Sequence, residues 1–77
     1  RQQAYNMLAQ LKASMAKLLE NGIKNGQVKP ETDVAFYSTV FIASLEGGIM
    51  MSKLERNEEA IQHSIKHLRR LVKEISI

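Results

Sequence analysis

The sequence holds no cysteine and no tryptophan, a single proline, four glycines and only two phenylalanines and two tyrosines in 77 residues. Each scarcity excludes something. Without cysteine there is no disulfide framework, no iron–sulfur centre, no thiolate zinc site and no cysteine nucleophile. The same absence fits a reducing compartment, so the expected location is cytoplasmic. A charged-then-apolar leader with a small-residue cleavage site is missing from the start of the chain. Blocks of like charge are missing too. The net charge of +3 is spread as +4 over residues 1–29, −2 over 30–56 and +1 over 57–77, too diluted for a nucleic-acid footprint. At about half the ~150 residues of a typical domain, the chain has room for one domain at most. It begins at Arg1 rather than Met and reads as a fragment of a longer protein.

What is present is helix. The residues that interrupt helices gather at Gly22 and Gly26 around Asn25, at Pro30 and at the pair Gly47-Gly48. Ala4, Leu8, Leu11, Met15 and Leu18 recur at steps of four and three, with Gln3, Gln10, Lys12, Lys17 and Glu20 on other faces. That is the period of an amphipathic helix, and it predicts a first helix from about Gln2 to Asn21–Lys24. Gly26, followed by an extended Val28 and by Pro30, marks the chain reversal. Thr32 or Asp33 stands where a second helix needs its cap. Asn57, followed by Glu58 and Glu59, starts a third helix whose stripe Ile61, Ile65, Leu68, Val72 and Ile75 repeats four, three, four, three. Lys66, Arg69, Arg70 and Lys73 fall on its solvent side near the carboxyl end, where the helix dipole favours cations. The expected fold class is all-α, with three helices.

The run Val34 to Met51 carries one charge, Glu46. At ~100° per residue its apolar side chains fall almost all the way round, leaving a narrow polar strip through Thr39, Glu46 and Lys53. Such a helix is central, and two neighbours leave part of it bare. A core this small rarely supplies more than about 3–5 kcal/mol without a metal, a disulfide or oligomerisation, so self-association is the expected remedy. The third helix carries a second stripe of smaller residues, Ala60, Ser64, His67 and Leu71, that permits close approach of another helix. The last two helices are therefore expected to form a four-helix bundle with those of a second subunit.

Other constellations have plainer readings. The apolar run is near the lower length of a membrane span, but Ser38, Thr39, Ser44, Glu46 and two glycines would need partners in lipid, and both flanking helices are amphipathic as in soluble bundles. Gly47-Gly48 costs on the order of 1–2 kcal/mol of helix propensity, which a close-packed neighbouring backbone explains better than a kink. Glu59, His63 and His67 lie four apart and have the spacing of a metal chelate, yet imidazoles on a surface helix are more often solvated; no metal and no cofactor is expected. Glu46 has no Ser, His or Lys spaced to complete a catalytic arrangement, so the chain is not expected to be an enzyme. Met7, Met15, Met50 and Met51 with Tyr37, Phe36 and Phe41 suit a cavity wall or, more simply, a core.

The order of features is informative as a whole: an amphipathic helix, then Asn25-Gly26-Gln27-Val28-Lys29-Pro30-Glu31-Thr32-Asp33, Val34-Ala35, Leu45-Glu46-Gly47-Gly48-Ile49-Met50 and an amphipathic last helix. It resembles the carboxy-terminal end of TetR-family transcriptional regulators. There a turn of the form Gly-x-hydrophobic-x-Pro/Asp, with an Asp further on, precedes the penultimate helix, which contains a Leu-Glu/Asp-Gly step. The resemblance spans nearly the whole chain and corresponds to the last three helices of a family member. The amino-terminal helix-turn-helix that reads DNA in this family has no counterpart here. The resemblance therefore implies ligand-controlled repression in a parent protein, with DNA contacted only through the missing amino-terminal domain. This piece would supply homodimerisation and one wall of a pocket for a small apolar or amphipathic effector.

Helical phase separates two sides of the second helix. Thr39, Ile42, Ala43, Glu46, Gly47 and Met50 share one, and Tyr37, Phe41, Leu45 and Gly48 face the other. Following the resemblance, the first set is assigned to the partner subunit together with Ser64, His67, Leu68 and Leu71. Tyr37, Phe41 and Leu45, with Met7, Leu11 and Met15 of helix one, are assigned to the pocket wall. A helical adaptor that holds another protein's helix in a groove, unrelated to DNA, is the alternative.

Overall fold

A computed structural model describes residues 2–77 as three helices, α1 (Gln2–Lys24), α2 (Val34–Glu55) and α3 (Glu59–Ile75). Their ends follow from local chemistry. Past α1, Gly26 takes a φ of 75°, a left-handed conformation that glycine adopts without a Cβ clash. The Gly22 carbonyl accepts from the amides of Gln27 at 2.9 Å and Val28 at 3.0 Å. Val28 thereby folds over Gly22, where a Cβ would lie 2.6 Å from Val28 Cγ2. Of the two candidate caps it is Asp33 that caps α2, its Oδ1 accepting from the Phe36 amide at 3.1 Å. α2 passes through Gly47-Gly48 unbroken and runs beyond Met51 to Glu55. It stops at Arg56, whose φ of 59° is left-handed and whose amide donates to the Ser52 carbonyl. Asn57 Oδ1 then accepts from the Glu59 amide at 2.9 Å, opening α3.

α2 lies between the other two helices and touches both. The backbone extends over 40 × 29 × 15 Å, with α1 and α3 on either side of α2. The three helices thus make a single layer. Its core, Leu19, Phe41, Leu71 and Ile75, sits where α1 ends, α2 begins and α3 ends. At the same end the Lys29 amide donates to the Ile75 carbonyl at 2.8 Å and the Ile77 amide to the Gln27 carbonyl at 3.0 Å, a short antiparallel bridge at Val28 and Ser76. The tail of α3 is in this way strapped to the α1–α2 connection.

A single layer cannot bury much. A compact monomer of 8.7 kDa exposes about 4,700 Å² by the usual size scaling. This chain exposes 6039 Å², and its radius of gyration of 13.6 Å exceeds the ~11.5 Å of a compact chain of equal length. Both departures go with the flat, extended shape, which leaves large apolar side chains such as Met50 and Leu54 exposed.

Candidate interaction surfaces

Contacts divide the circumference of α2 into three directions. Toward α3 it presents Ser44, Gly48 and Ser52, spaced by four. A Cβ on Gly48 would lie 2.9 Å from Ser64 Cβ and 3.3 Å from the Ala60 carbonyl oxygen, so the helices meet at near-backbone distance. Polar bonds fix the register of this seam. Ser64 Oγ donates to the Ser44 carbonyl at 2.9 Å, and the Ile61 amide donates to Ser52 Oγ at 3.0 Å. Further along, the Tyr37 hydroxyl donates to Glu74 Oε1 at 3.1 Å. Burial and this carboxylate, with a smaller contribution from Asp33, hold the Tyr37 phenol above its ordinary pKa.

About a third of a turn away, Ser38 and Ile42 are buried. Since α1 is the other helix that α2 touches among the described residues, α1 covers them. The third direction is bare. Phe36, Thr39, Ala43, Glu46, Met50 and Leu54 follow one another at helical steps and all are exposed, Met50 by 59 % and Leu54 by 77 %. Gly47 lies among them, and a Cβ there would meet nothing within 4 Å. By length and composition Val34–Glu55 is apolar enough to cross a membrane; two of its three sides are used here by α1 and α3.

Several residues assigned to a partner's helix turn out to be engaged within the chain. Ile42 belongs to the α1 side. Ser64 faces the α2 seam, Leu71 is part of the core, and Leu68 packs against that core. The reason is connectivity: residues 56–58 join α2 to α3, and so short a link makes the two helices antiparallel neighbours that use the small-residue stripe themselves. Thr39, Ala43, Glu46, Met50 and His67 are exposed, as a partner contact requires. Phe36 and Leu54 extend the same exposed face. Leu54 continues the Ala43, Gly47, Met50 spacing past the apolar run that ends at Met51.

The residues assigned to a pocket wall do not surround one cavity. Phe41 fills the core, edge-to-face with Tyr37 at a centroid distance of 6.1 Å, and Met15 packs on the same cluster. Leu45 is half-buried, while Met7 and Leu11 face outward with Leu8 on α1. On α3, Ile65 and Val72 are likewise uncovered. An open groove of about 320 Å³ does exist beside the α2–α3 turn, lined by Gly48, Met51 and Glu55 of α2 and Glu59, Ala60, His63 and Ser64 of α3. Among the described residues no three His, Cys, Asp or Glu side chains are grouped to hold a metal ion.

No curated protein matches the chain. A solved TetR transcriptional regulator from Chloroflexus aurantiacus J-10-FL is 21 % identical and superposes with a TM-score of 0.89 over 99 % of this chain. The match takes up 38 % of that regulator, so the chain spans well under half its length. At this identity the likeness is one of fold: three helices in the same arrangement. The family described as tetracyclin repressor-like, C-terminal domain, matches residues 1–68. With that match over most of its length, the chain belongs to the tetracyclin repressor-like C-terminal domain family.

Proposed function

We propose that the chain is the dimerisation and effector-sensing part of a ligand-responsive transcriptional repressor, in which segments outside these 77 residues bind DNA. The observation that carries this reading is the bare side of α2: Phe36, Ala43, Met50 and Leu54 are left in water on the central helix, with the half-buried Gly47 among them. Small residues at Ala43 and Gly47 in the middle of that side suit the close crossing of a second helix. The surplus surface of the chain, roughly 1,300 Å² over a compact monomer, exceeds the ~800 Å² per partner of a standard interface. It leaves room for contacts with the rest of a parent protein as well.

Effector sensing is supported by a second uncovered region, Met7, Leu8 and Leu11, which belongs to α1. An apolar or amphipathic small molecule held there would move α1 against α2 while leaving the α2 crossing closed, the differential contact that a relayed switch needs. The reading assigns the chain no catalytic step and a cytoplasmic location.

Sedimentation equilibrium at micromolar concentration tests dimerisation. The wild type is expected to be a homodimer. Gly47→Arg is expected to be monomeric with its helix content kept, because the added side chain meets nothing in its own chain. A Gly47→Arg dimer as tight as the wild type would remove this face from the interface.

A further inference from the structure

We propose that the short antiparallel bridge between residues 27–29 and 75–77 is a latch: closed, it fixes α1 against the α2–α3 pair, and open, it lets α1 shift on α2. Its use in regulation rests on the reading of α1 as the sensing region. The latch itself does not.

The three helices are not held alike. Directional bonds join α2 to α3: Ser64 Oγ to the Ser44 carbonyl, the Ile61 amide to Ser52 Oγ, and the Tyr37 hydroxyl to Glu74. Together with the near-backbone approach at Gly48 they fix the register of this pair. Between α1 and α2, by contrast, no hydrogen bond is made among the described residues. These two helices meet through apolar packing, which is non-directional, and residues 2–14 of α1 are exposed throughout. Among the described residues α1 and α3 make no helix-to-helix contact.

What holds α1 in a set direction is therefore its connection. The Gly22 carbonyl accepts from the amides of Gln27 and Val28, and the Val28 side chain covers Gly22, so residues 27 and 28 move with the last turn of α1. The next two bonds reach α3. The Lys29 amide donates to the Ile75 carbonyl at 2.8 Å, and the Ile77 amide donates to the Gln27 carbonyl at 3.0 Å. A path from α1 to α3 thus runs through Gly22, Val28 and Ile75 without crossing α2. Gln27, Lys29, Ser76 and Ile77 are exposed, so water can replace both bonds when the strands part, and local opening is easy. Val28, half-buried against the core between the two bonds, ties them into one event. A small molecule that tilts α1 pulls on Gly22 and Val28, and the latch delivers that pull to the tail of α3.

Amide hydrogen exchange, followed residue by residue by NMR on the 77-residue chain, tests the latch without any ligand. Ile77→Pro removes one donor, and Ser76, at a ψ of 141°, already has the conformation favoured before proline. It is expected to speed exchange of the Lys29 amide roughly tenfold, whereas Ile77→Ala, which keeps the donor, should not. Gly22→Ala acts from the α1 side, where the new Cβ meets Val28 Cγ2. It should speed exchange of both the Lys29 and the Ile77 amides roughly tenfold, although it touches neither. In a Val28→Ala background, where Cγ2 is gone, the same Gly22→Ala change should alter those rates by less than about threefold. The Ile61 amide, in the α2–α3 seam, should keep its wild-type rate in all of these variants. A Lys29 amide unaffected by Ile77→Pro, or an Ile77 amide unaffected by Gly22→Ala, would overturn the latch. Equal acceleration at Ile61 would show global unfolding in its place and overturn it as well. If the latch behaves as expected while an effector has no influence on Lys29 and Ile77, the sensing reading of α1 alone is wrong.

Discussion

Two adjacent glycines in one helix should respond to the same substitution in opposite ways. At Gly48 an alanine Cβ would be 2.9 Å from Ser64 Cβ and 3.3 Å from the Ala60 carbonyl oxygen, with Ser64 Oγ closer still. The hydroxyl can swing aside, but only by giving up its bond to the Ser44 carbonyl. The Cβ and the carbonyl move only if α3 moves. Overpacking of this kind costs about 1–3 kcal/mol, and the lost hydrogen bond about 0.5–1.5 kcal/mol. Against these stands about 1 kcal/mol of improved helix propensity. Gly48→Ala should therefore lower stability by about 1–3 kcal/mol. Gly47→Ala, which meets nothing in its own chain, should keep the propensity gain of about 1 kcal/mol within the protomer. Urea unfolding followed by far-ultraviolet circular dichroism, repeated at several protein concentrations, separates the protomer term from any change in dimerisation. Gly48→Ala/Ser64→Gly provides the control, since removing the Ser64 side chain should recover part of the loss. A Gly48→Ala protein as stable as the wild type, or a double variant no better than the additive sum, would refute the close approach of α2 and α3.

Three further outcomes follow from the same contacts. Phe41→Ala should cost about 3–5 kcal/mol and largely unfold the chain, because among the described residues Phe41 is one of four buried side chains in the core cluster; retention of the wild-type thermal transition would show that Phe41 is not core. Ser38 is 2 % exposed and its hydroxyl has no hydrogen-bond partner among the described residues, so Ser38→Ala should raise stability by about 1 kcal/mol, seen as a higher melting temperature; a fall would refute the unpaired hydroxyl. The Tyr37 phenol titrates above its ordinary value of 10.0 in the folded chain, so the folded state holds its proton where the unfolded state releases it. Stability from this group is present below pH ~10 and falls as pH rises through the folded pKa. Tyr37→Phe should flatten that alkaline decline, and an unchanged slope in urea midpoints above pH 10 would count against the burial and the Glu74 bond as its cause.

Much of the fold was legible in the sequence because it depends on local chemistry. The apolar period of α1, the Gly26 reversal, the Asp33 cap and the start of α3 just after Asn57 are each decided within a few residues, by backbone sterics and by side chains that satisfy nearby amides. The all-round apolarity of Val34 to Met51 likewise announced a central helix, since a side chain's cost in water is its own property. The end of α2 was less legible. Lys53 and Glu55 look like the end of an apolar run, but the helix continues to a left-handed Arg56, held by its amide bond to the Ser52 carbonyl.

What only the tertiary structure decided is which neighbour takes each face. A stripe such as Ala60, Ser64 and Leu71 states that a helix can come close, and says nothing of whether that helix belongs to the same chain. The three residues joining α2 to α3 decided it in favour of α2, which used Ser64 and Leu71 internally. Gly47 and Gly48 are chemically identical in the sequence. A rotation of about 100° between them sets one against Ser64 and leaves the other open to solvent, and phase acquires that meaning only when a neighbouring helix fixes its origin.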